Sequence, residues 1–395
     1  MRPLSYLSAW RVALLLAACL LGTELRAEAA KHLAPIPAAT LALMAAKNTT
    51  PSSPILLRTF KKEAELEIWK QGRDGRFVHL KTFPICRWSG HLGPKLRTGD
   101  RQAPEGFYAV APRQMNPNSS YYLSFDIGFP NAYDRSRGAS GSHLMVHGTC
   151  SSAGCFAMTD KAVGEIYSIA REAFEGGQGA FQFQSFPFRM TAETMARHRS
   201  DPHIGFWRQL KEGSDRFEAT GEEPVVSVSA GRYAFAPSKD PAKEALASAR
   251  RSEEEARVAA LVTEGAGAVR TTYSDGGQHP FFAALLRKGA DLGMVSRPEA
   301  LAFAGREVVL IPARPKPKPP ACPGAPGCPT AVADATGAAP SAEADLFSGA
   351  EPWLLTPAPI GDAPTPLTLS RPADRAARLV PAFLADPSFR VAAGW

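Results

Sequence analysis

Long apolar runs are scarce in this chain of 395 residues. The run nearest to membrane scale, Val12 to Gly22, falls well short of the roughly 20 residues that a spanning helix needs. A transmembrane protein is therefore not expected. Cysteine is also sparse at six residues, which excludes a small disulfide-dense scaffold. Neither sign of charge dominates: 45 Lys plus Arg against 38 Asp plus Glu gives +7, spread along the chain rather than clustered, so nucleic acid is not an expected partner. With 45% hydrophobic and 21% charged residues the chain can bury a full core and is not globally disordered. There is no internal repeat, so a solenoid is excluded.

What is present begins with an export signal. Arg2 and Arg11 flank a short positive start, Val12 to Gly22 is a short apolar core, and Ala27-Glu28-Ala29 is a small-x-small cleavage site. Residues 1–29 read as a signal peptide, which predicts a periplasmic protein. The run Leu16-Ala17-Ala18-Cys19 also satisfies the bacterial lipoprotein pattern, so a form anchored at Cys19 is the alternative. Once Cys19 is removed, Cys86, Cys150, Cys155, Cys322 and Cys328 remain, an odd number in an oxidising compartment. One thiol is left over.

Residues 30–53 read as a leader, and the fold is expected over residues 54–237. Ile55 to Phe60 and Ala64 to Lys70 read as strands, Gln71 to Gly75 is a turn, and Phe77 to Phe83 alternates apolar and polar residues. From Cys86 to Ser142 the chain is rich in Gly, Pro, Asn and Ser interleaved with aromatics, the texture of short strands joined by long structured loops. Helices are predicted over 162–173, 191–198 and 204–211, and two strands close the segment at 225–228 and 232–235. The expected class is mainly β with a few helices (α+β). Residues 238–311 form a helical extension beginning with a charged helix over 242–264. Nine prolines between 312 and 340 open a Pro/Ala-rich tail over 312–395, expected to be extended, in which Cys322 and Cys328 suit a local disulfide.

The chemistry concentrates in Ser142 to Asp160, SHLMVHGTCSSAGCFAMTD. His147-Gly148 closes an apolar strand-like run, and Cys155 follows after the small residues Ser151 to Gly154. A thiol after small residues can sit on a tight turn where backbone N–H groups face a carbonyl, and an imidazole nearby can hold it as thiolate. This suits acyl transfer. His143, His147, Cys150 and Cys155 together match no common zinc spacing, so no metal and no organic cofactor are expected. Cys150 is free by sequence to pair with Cys155 or with Cys86.

At these residues the chain resembles the L,D-transpeptidases (YkuD-type domain), and most closely their YafK-like branch, in which the stretch reads much like Val146 to Met158 here. The resemblance extends over roughly Ile55 to Phe235 and includes Pro84 to Gly90, Leu92 to Lys95, Gly99 to Tyr108, Asn116 to Ser119 and Phe186 to Met190. It implies an L,D-transpeptidase-like β-sandwich or barrel followed by a partly disordered C-terminal extension. It further implies a periplasmic cysteine acyltransferase acting on peptidoglycan stem peptides, with Cys155 as nucleophile and His147 as general base and acid. Gly148 would orient the imidazole through its carbonyl, Gly154 and Cys155 would supply oxyanion N–H donors, and Ser152 would shape the turn. His143 is a second base candidate. Where water is the acceptor, the same fold is an amidase that releases wall-linked lipoprotein or outer-membrane protein from peptidoglycan. From a different class, a non-catalytic wall-binding module is the remaining reading.

The chain departs from the broad family pattern in having Ala153 where a second His usually stands and Ala157 where an Arg does, and in a shorter interval from His147 to Cys155. The YafK-like branch shares these changes. A missing Arg leaves a carboxylate contact to be supplied elsewhere, and Arg97, Arg101 and Arg189 are the candidates.

Overall fold

In the computed structural model, which describes residues 31–315, the alternating segments after Pro54 form a meander of β1 (Ile55–Phe60), β2 (Glu65–Gln71) and β3 (Phe77–Pro84). Shorter strands follow: β4 (Arg87–Trp88), β5 (Gly106–Val110), β6 (Met115–Asn116), β7 (Ser124–Asp126), β8 (Met145–His147) and β9 (Phe156–Ala157), and then the longer β10 (Phe181–Phe186). They build two five-stranded sheets, ordered β3-β2-β1-β10-β5 and β4-β9-β8-β7-β6. Each mixes antiparallel pairs with one parallel pair, β1 with β10 and β8 with β9. The class is α+β and dominated by sheet, as the sequence indicates.

The sheets meet through aromatic side chains. Phe125 on β7 lies 5.7 Å from Phe181 and 6.4 Å from Phe183 of β10, and Phe156 on β9 lies 5.8 Å from Phe183. All four are fully buried. Each such ring contributes about 1.5–3 kcal/mol by leaving water. β1 and β10 are buried along their whole length, including the polar side chains of Arg58, Thr59, Gln182, Gln184 and Ser185.

The helix Asp160–Glu175 starts where expected, with the Thr159 hydroxyl accepting from the Ala162 N–H at 3.2 Å. The helix Ile204–Thr220 runs nine residues beyond the expected stop at Lys211. Gly213 does not break it. A Cβ there would come within 2.5 Å of Phe107 and Phe235, so this glycine marks a close approach and not a helix end. Gly221, at φ 67°, supplies the left-handed cap instead.

The segment read as a leader is part of the fold. A helix over Ala38–Ala46 packs on the domain, with Ile36 and Met44 in its core. The Thr40 hydroxyl donates to Glu165 at 2.5 Å, and Arg171 donates to the carbonyls of His32 and Ala34 at 2.6 and 3.1 Å. Its apolar patches were visible in the sequence but their destination was not. The signal region 1–29, Cys19, Cys322, Cys328 and the tail from 316 onward lie outside the described residues.

After the hairpin of β11 (Val226–Ser229) and β12 (Arg232–Phe235) comes the charged helix, over Pro241–Thr263, docked on the helix Ile204–Thr220 by Arg216–Glu244 and Lys211–Glu254 ion pairs at 2.7 Å. The extension then adds a second hairpin, β13 (Ala268–Thr272) with β14 (Arg306–Ile311), and returns to the second sheet. Trp88 and Gly277 exchange backbone hydrogen bonds at 3.0 and 3.1 Å, Gly276 donates to the Gly90 carbonyl at 2.6 Å, and His279 donates to that of Ile85 at 3.0 Å. Residues 276–279 thus line the outer edge of β4. Gly276, at φ 68°, permits this approach, since a Cβ would lie 2.0 Å from the Trp88 carbonyl oxygen.

Candidate active site

β8 and β9 run parallel although only Gly148 to Cys155 connects them, a join far shorter than the usual crossover between parallel strands. The connection is possible because several local devices tighten it. Thr149 takes φ 61° and Gly154 φ 133°. The Ser152 hydroxyl donates to the Cys155 carbonyl at 2.7 Å and accepts from the N–H groups of Cys155 and Gly154 at 3.1 and 3.3 Å. Cys150 is bonded to Cys86, which decides the pairing the sequence left open, and Cys155 is the free thiol among the described cysteines. The Ser89 and Ser152 hydroxyls lie 3.0 Å apart and tie this turn to the end of β4.

The register sets the face. Val146 opposes Phe156 and both point into the core, so the alternation places Met145, His147, Cys155 and Ala157 together on the other face. Cys155 and His147 thus share one face of the β8–β9 pair. No hydrogen bond joins the two side chains. Instead the Met145 N–H donates to Cys155 Sγ at 3.4 Å, and the thiol points at the His143 carbonyl at 4.0 Å.

His147 is held by the carbonyl of the residue that follows it. Its Nδ1–H donates to the Gly148 carbonyl at 2.5 Å, which leaves Nε2 as the proton acceptor. The Tyr121 ring packs 4.7 Å from the imidazole. Gly148 is required by contact, because a Cβ would meet Asp160 Oδ1 at 2.5 Å and the Tyr121 carbonyl at 2.8 Å. Burial lowers the His147 pKa against the Gly148 hydrogen bond and the Asp160 charge, which favour protonation. Burial likewise pushes the Cys155 thiol up to about 11, with the Asp126 carboxylate adding to the rise and the Met145 N–H and the Lys95 charge opposing it.

Two expectations therefore change. Burial works against a thiolate–imidazolium pair at rest: it raises the Cys155 thiol and lowers the His147 imidazole, against the Lys95 and Asp160 charges. The N–H groups of Gly154 and Cys155 do not form a vacant oxyanion site, since the Ser152 hydroxyl occupies both. They shape the turn, and Ser152 is its organiser.

The remaining candidates separate. His143 lies beside the thiol through its backbone, while its exposed ring pairs with Asp126 at 3.6 Å. Arg101 is brought to the turn, donating to the Ser152 carbonyl at 3.1 Å and to Asp275 at 2.8 Å. Arg97 is exposed, and its backbone N–H donates to Asp100 at 3.0 Å. Arg189 is held by Glu67 at 2.8 Å and by Glu65, over the Phe60 ring, on the strands of the first sheet. Its charge is already matched. Among the described residues no cluster of His, Cys, Asp or Glu suits a metal ion.

Sequence reasoning missed Lys95, Asp126, Tyr121, Asp275 and Ser296 around this turn. The Asp275-Gly276-Gly277 turn signature was the available signal for one of them. Ser296 had none.

The class defined by this α+β fold with a free cysteine and an oriented histidine on one sheet face agrees with the comparisons. No family model matches the chain. Among curated proteins it is 46% identical over 182 residues to "Putative L,D-transpeptidase YafK" of Escherichia coli K12, a match covering 46% of this chain and 73% of the relative, and equally to the protein of that name from strain O157:H7. The chain belongs to the L,D-transpeptidase family, in its YafK-like branch. Solved structures with some likeness include the helical cell shape determining protein Pgp2 from Campylobacter jejuni, at TM-score 0.28 and 14% identity over 59% of this chain and 80% of that one. Bd1075 from Bdellovibrio bacteriovorus follows at TM-score 0.25 and 15% identity, covering 42% and 59%. Both are too distant to bear on the chemistry.

Proposed function

We propose that this protein is a cysteine acyltransferase that acts on peptidoglycan stem peptides outside the cytoplasm, with Cys155 as nucleophile and His147 as the base. The observation that carries the reading is the register of β8 and β9, which sets a free thiol and an imidazole with a bare Nε2 on one face. The Cys86–Cys150 disulfide and the signal-like N-terminus support an oxidising, periplasmic location.

In the proposed reaction a peptide carbonyl enters between Cys155 and His147. Because burial favours the neutral form of both groups, the proton passes from Sγ to Nε2 as sulfur attacks, and no thiolate stands waiting. The tetrahedral intermediate collapses, His147 returns the proton to the leaving amine, and an acyl thioester remains on Cys155. An amine acceptor then gives a transpeptidase product, and water gives hydrolysis, with His147 taking the acceptor's proton in either case. The Gly148 carbonyl keeps Nδ1 protonated throughout, so the ring presents the same nitrogen in both steps.

The test is mass spectrometry of products after incubating mature protein, and its Cys155→Ala variant, with muropeptides and with protein-linked peptidoglycan. New crosslinks or amine-exchanged stems lost in the variant support a transferase. Freed tripeptide ends and released protein without new bonds make it an amidase. Neither product from a protein with a reduced thiol contradicts the catalytic reading and leaves the wall-binding module.

A further inference from the structure

The nucleophile turn is held from outside the strands that carry it. Both main-chain groups of Ser152 bond to one side chain of the C-terminal extension: Ser296 Oγ accepts from the Ser152 N–H at 2.9 Å and donates to its carbonyl at 3.0 Å. That same carbonyl accepts from Arg101, whose guanidinium donates to Asp275 Oδ2 from Nη2 at 2.8 Å and from Nε at 3.2 Å. Asp275 Oδ1 accepts from the Gly90 N–H at 3.1 Å. Arg87, fully buried on β4, joins the two anchors, donating to the Ser296 carbonyl at 3.0 Å and to the Asp275 carbonyl at 2.6 Å. Phe282 of the extension covers the Cys86–Cys150 disulfide at the other side of the turn.

The Ser296 and Arg101 bonds end on the residue whose hydroxyl fixes Cys155, and the Asp275 and Arg87 bonds hold those two in place. Ser152 Oγ holds the N–H and the carbonyl of Cys155 at once, so a shift of the Ser152 backbone moves the sulfur directly. Hydrogen bonds to charged groups in a water-poor setting are among the stronger ones, and Asp275 faces Arg87, Arg101 and Arg297 while its side chain is nearly buried. Against burial, which raises it, the bonds from Arg101 and the Gly90 N–H keep the Asp275 carboxyl below its ordinary range.

We propose that Asp275 and Ser296 are positioning residues of the nucleophile turn, and that the extension is thereby a working part of the active site. They touch no reacting atom. They act by fixing Ser152, which sets where the Cys155 sulfur lies and how far water is kept from it.

The proposal rests on Cys155 being the nucleophile, but its test does not need the natural substrate. In the full-length mature protein, Ser296→Ala, Ser296→Thr and Asp275→Asn are compared with wild type for the rate of Cys155 alkylation by iodoacetamide between pH 7 and pH 10.5, alongside thermal melting. A released turn lets water reach the sulfur and lowers its apparent pKa, and each unit gives about tenfold more thiolate. The expected result is alkylation at pH 8 at least tenfold faster in Ser296→Ala and Asp275→Asn, with Ser296→Thr restoring the wild-type profile. Where acyl transfer is measurable, kcat falls at least tenfold with KM little changed. An alkylation profile in Ser296→Ala and Asp275→Asn that superimposes on wild type overturns the proposal, whatever the melting temperatures do. Should Ser296→Ala fail to fold, Asp275→Asn decides alone, because it keeps size and the Gly90 acceptor. A shifted profile in a wild type without acyl transfer sinks the proposed function and leaves the positioning role standing.

Discussion

The two five-stranded sheets are built on opposite principles. The first has strands of five to eight residues, with β1 and β10 buried end to end and paired through continuous ladders. The second has strands of two or three residues and carries His147 and, on the turn from β8 to β9, Gly148, Ser152 and Cys155. Long strands hold themselves by backbone ladders and apolar burial. Short ones are held by particular side chains: Ser152 on the turn, the Cys86–Cys150 bond, Arg87 and Asp275 at the edge. Regular structure supplies stability in one sheet, and the other gives up regularity to place single atoms.

That contrast is open to test by variants that strike one sheet and spare the other. The largest effect is expected at the site itself: Cys155→Ala abolishes acyl transfer and His147→Ala lowers kcat by about 10²–10⁴, both with unchanged melting, as peptide turnover assays would show. Phe183→Ala, at the contact between the sheets, is expected to cost about 3–5 kcal/mol in denaturant unfolding, with the pH profile of Cys155 alkylation unmoved. Opening the disulfide by Cys86→Ser together with Cys150→Ser removes a link across 64 residues and should cost about 4 kcal/mol, and unlike Phe183→Ala it should speed alkylation of Cys155 at pH 8. Gly148→Ala forces its Cβ against Asp160 and the Tyr121 carbonyl, an expected loss of about 1–3 kcal/mol that also disturbs the carbonyl orienting His147. Equal effects of Phe183→Ala and the disulfide variant on alkylation would erase the distinction between the sheets.

The pH dependence has a definite sign. The Cys155 thiol, raised to about 11 by burial, ionises later in the fold than in the unfolded chain, where a thiol titrates near 8.5. Alkylation of the native protein should therefore keep rising with pH past 9, where that of the denatured protein levels off. A native plateau below pH 9 would contradict the neutral resting pair.

The sequence carried the opening meander of the first sheet well, because strand patterns and turn residues are local signals: β1, β2 and β3 lie within a residue or so of their expected bounds, while β10 was not expected at all. Cys155, His147 and Gly148 were also legible as candidates, from residue type, spacing and the family resemblance. The electrostatic state of the pair was not. Whether a thiol near an imidazole ionises depends on burial, and burial is a property of the whole fold. The helix from Ile204 outruns its expected stop at Lys211, and Gly213 within it answers to Phe107 and Phe235, distant in sequence. Asp275 showed only as part of a turn signature and Ser296 not at all, because both lie more than 120 residues from the turn they hold.

The account stands most directly on Cys155 forming a covalent intermediate. Mature protein would be mixed with a tetrapeptide stem, quenched in acid within seconds, and examined by intact mass and peptide mapping, with Cys155→Ala and His147→Ala in parallel. The expected result is a mass increase equal to the tripeptide acyl group on the peptide bearing Cys155, labile to hydroxylamine, absent in Cys155→Ala and strongly reduced in His147→Ala. Product formation at full rate in Cys155→Ala, or an acyl group found on another residue, would contradict it.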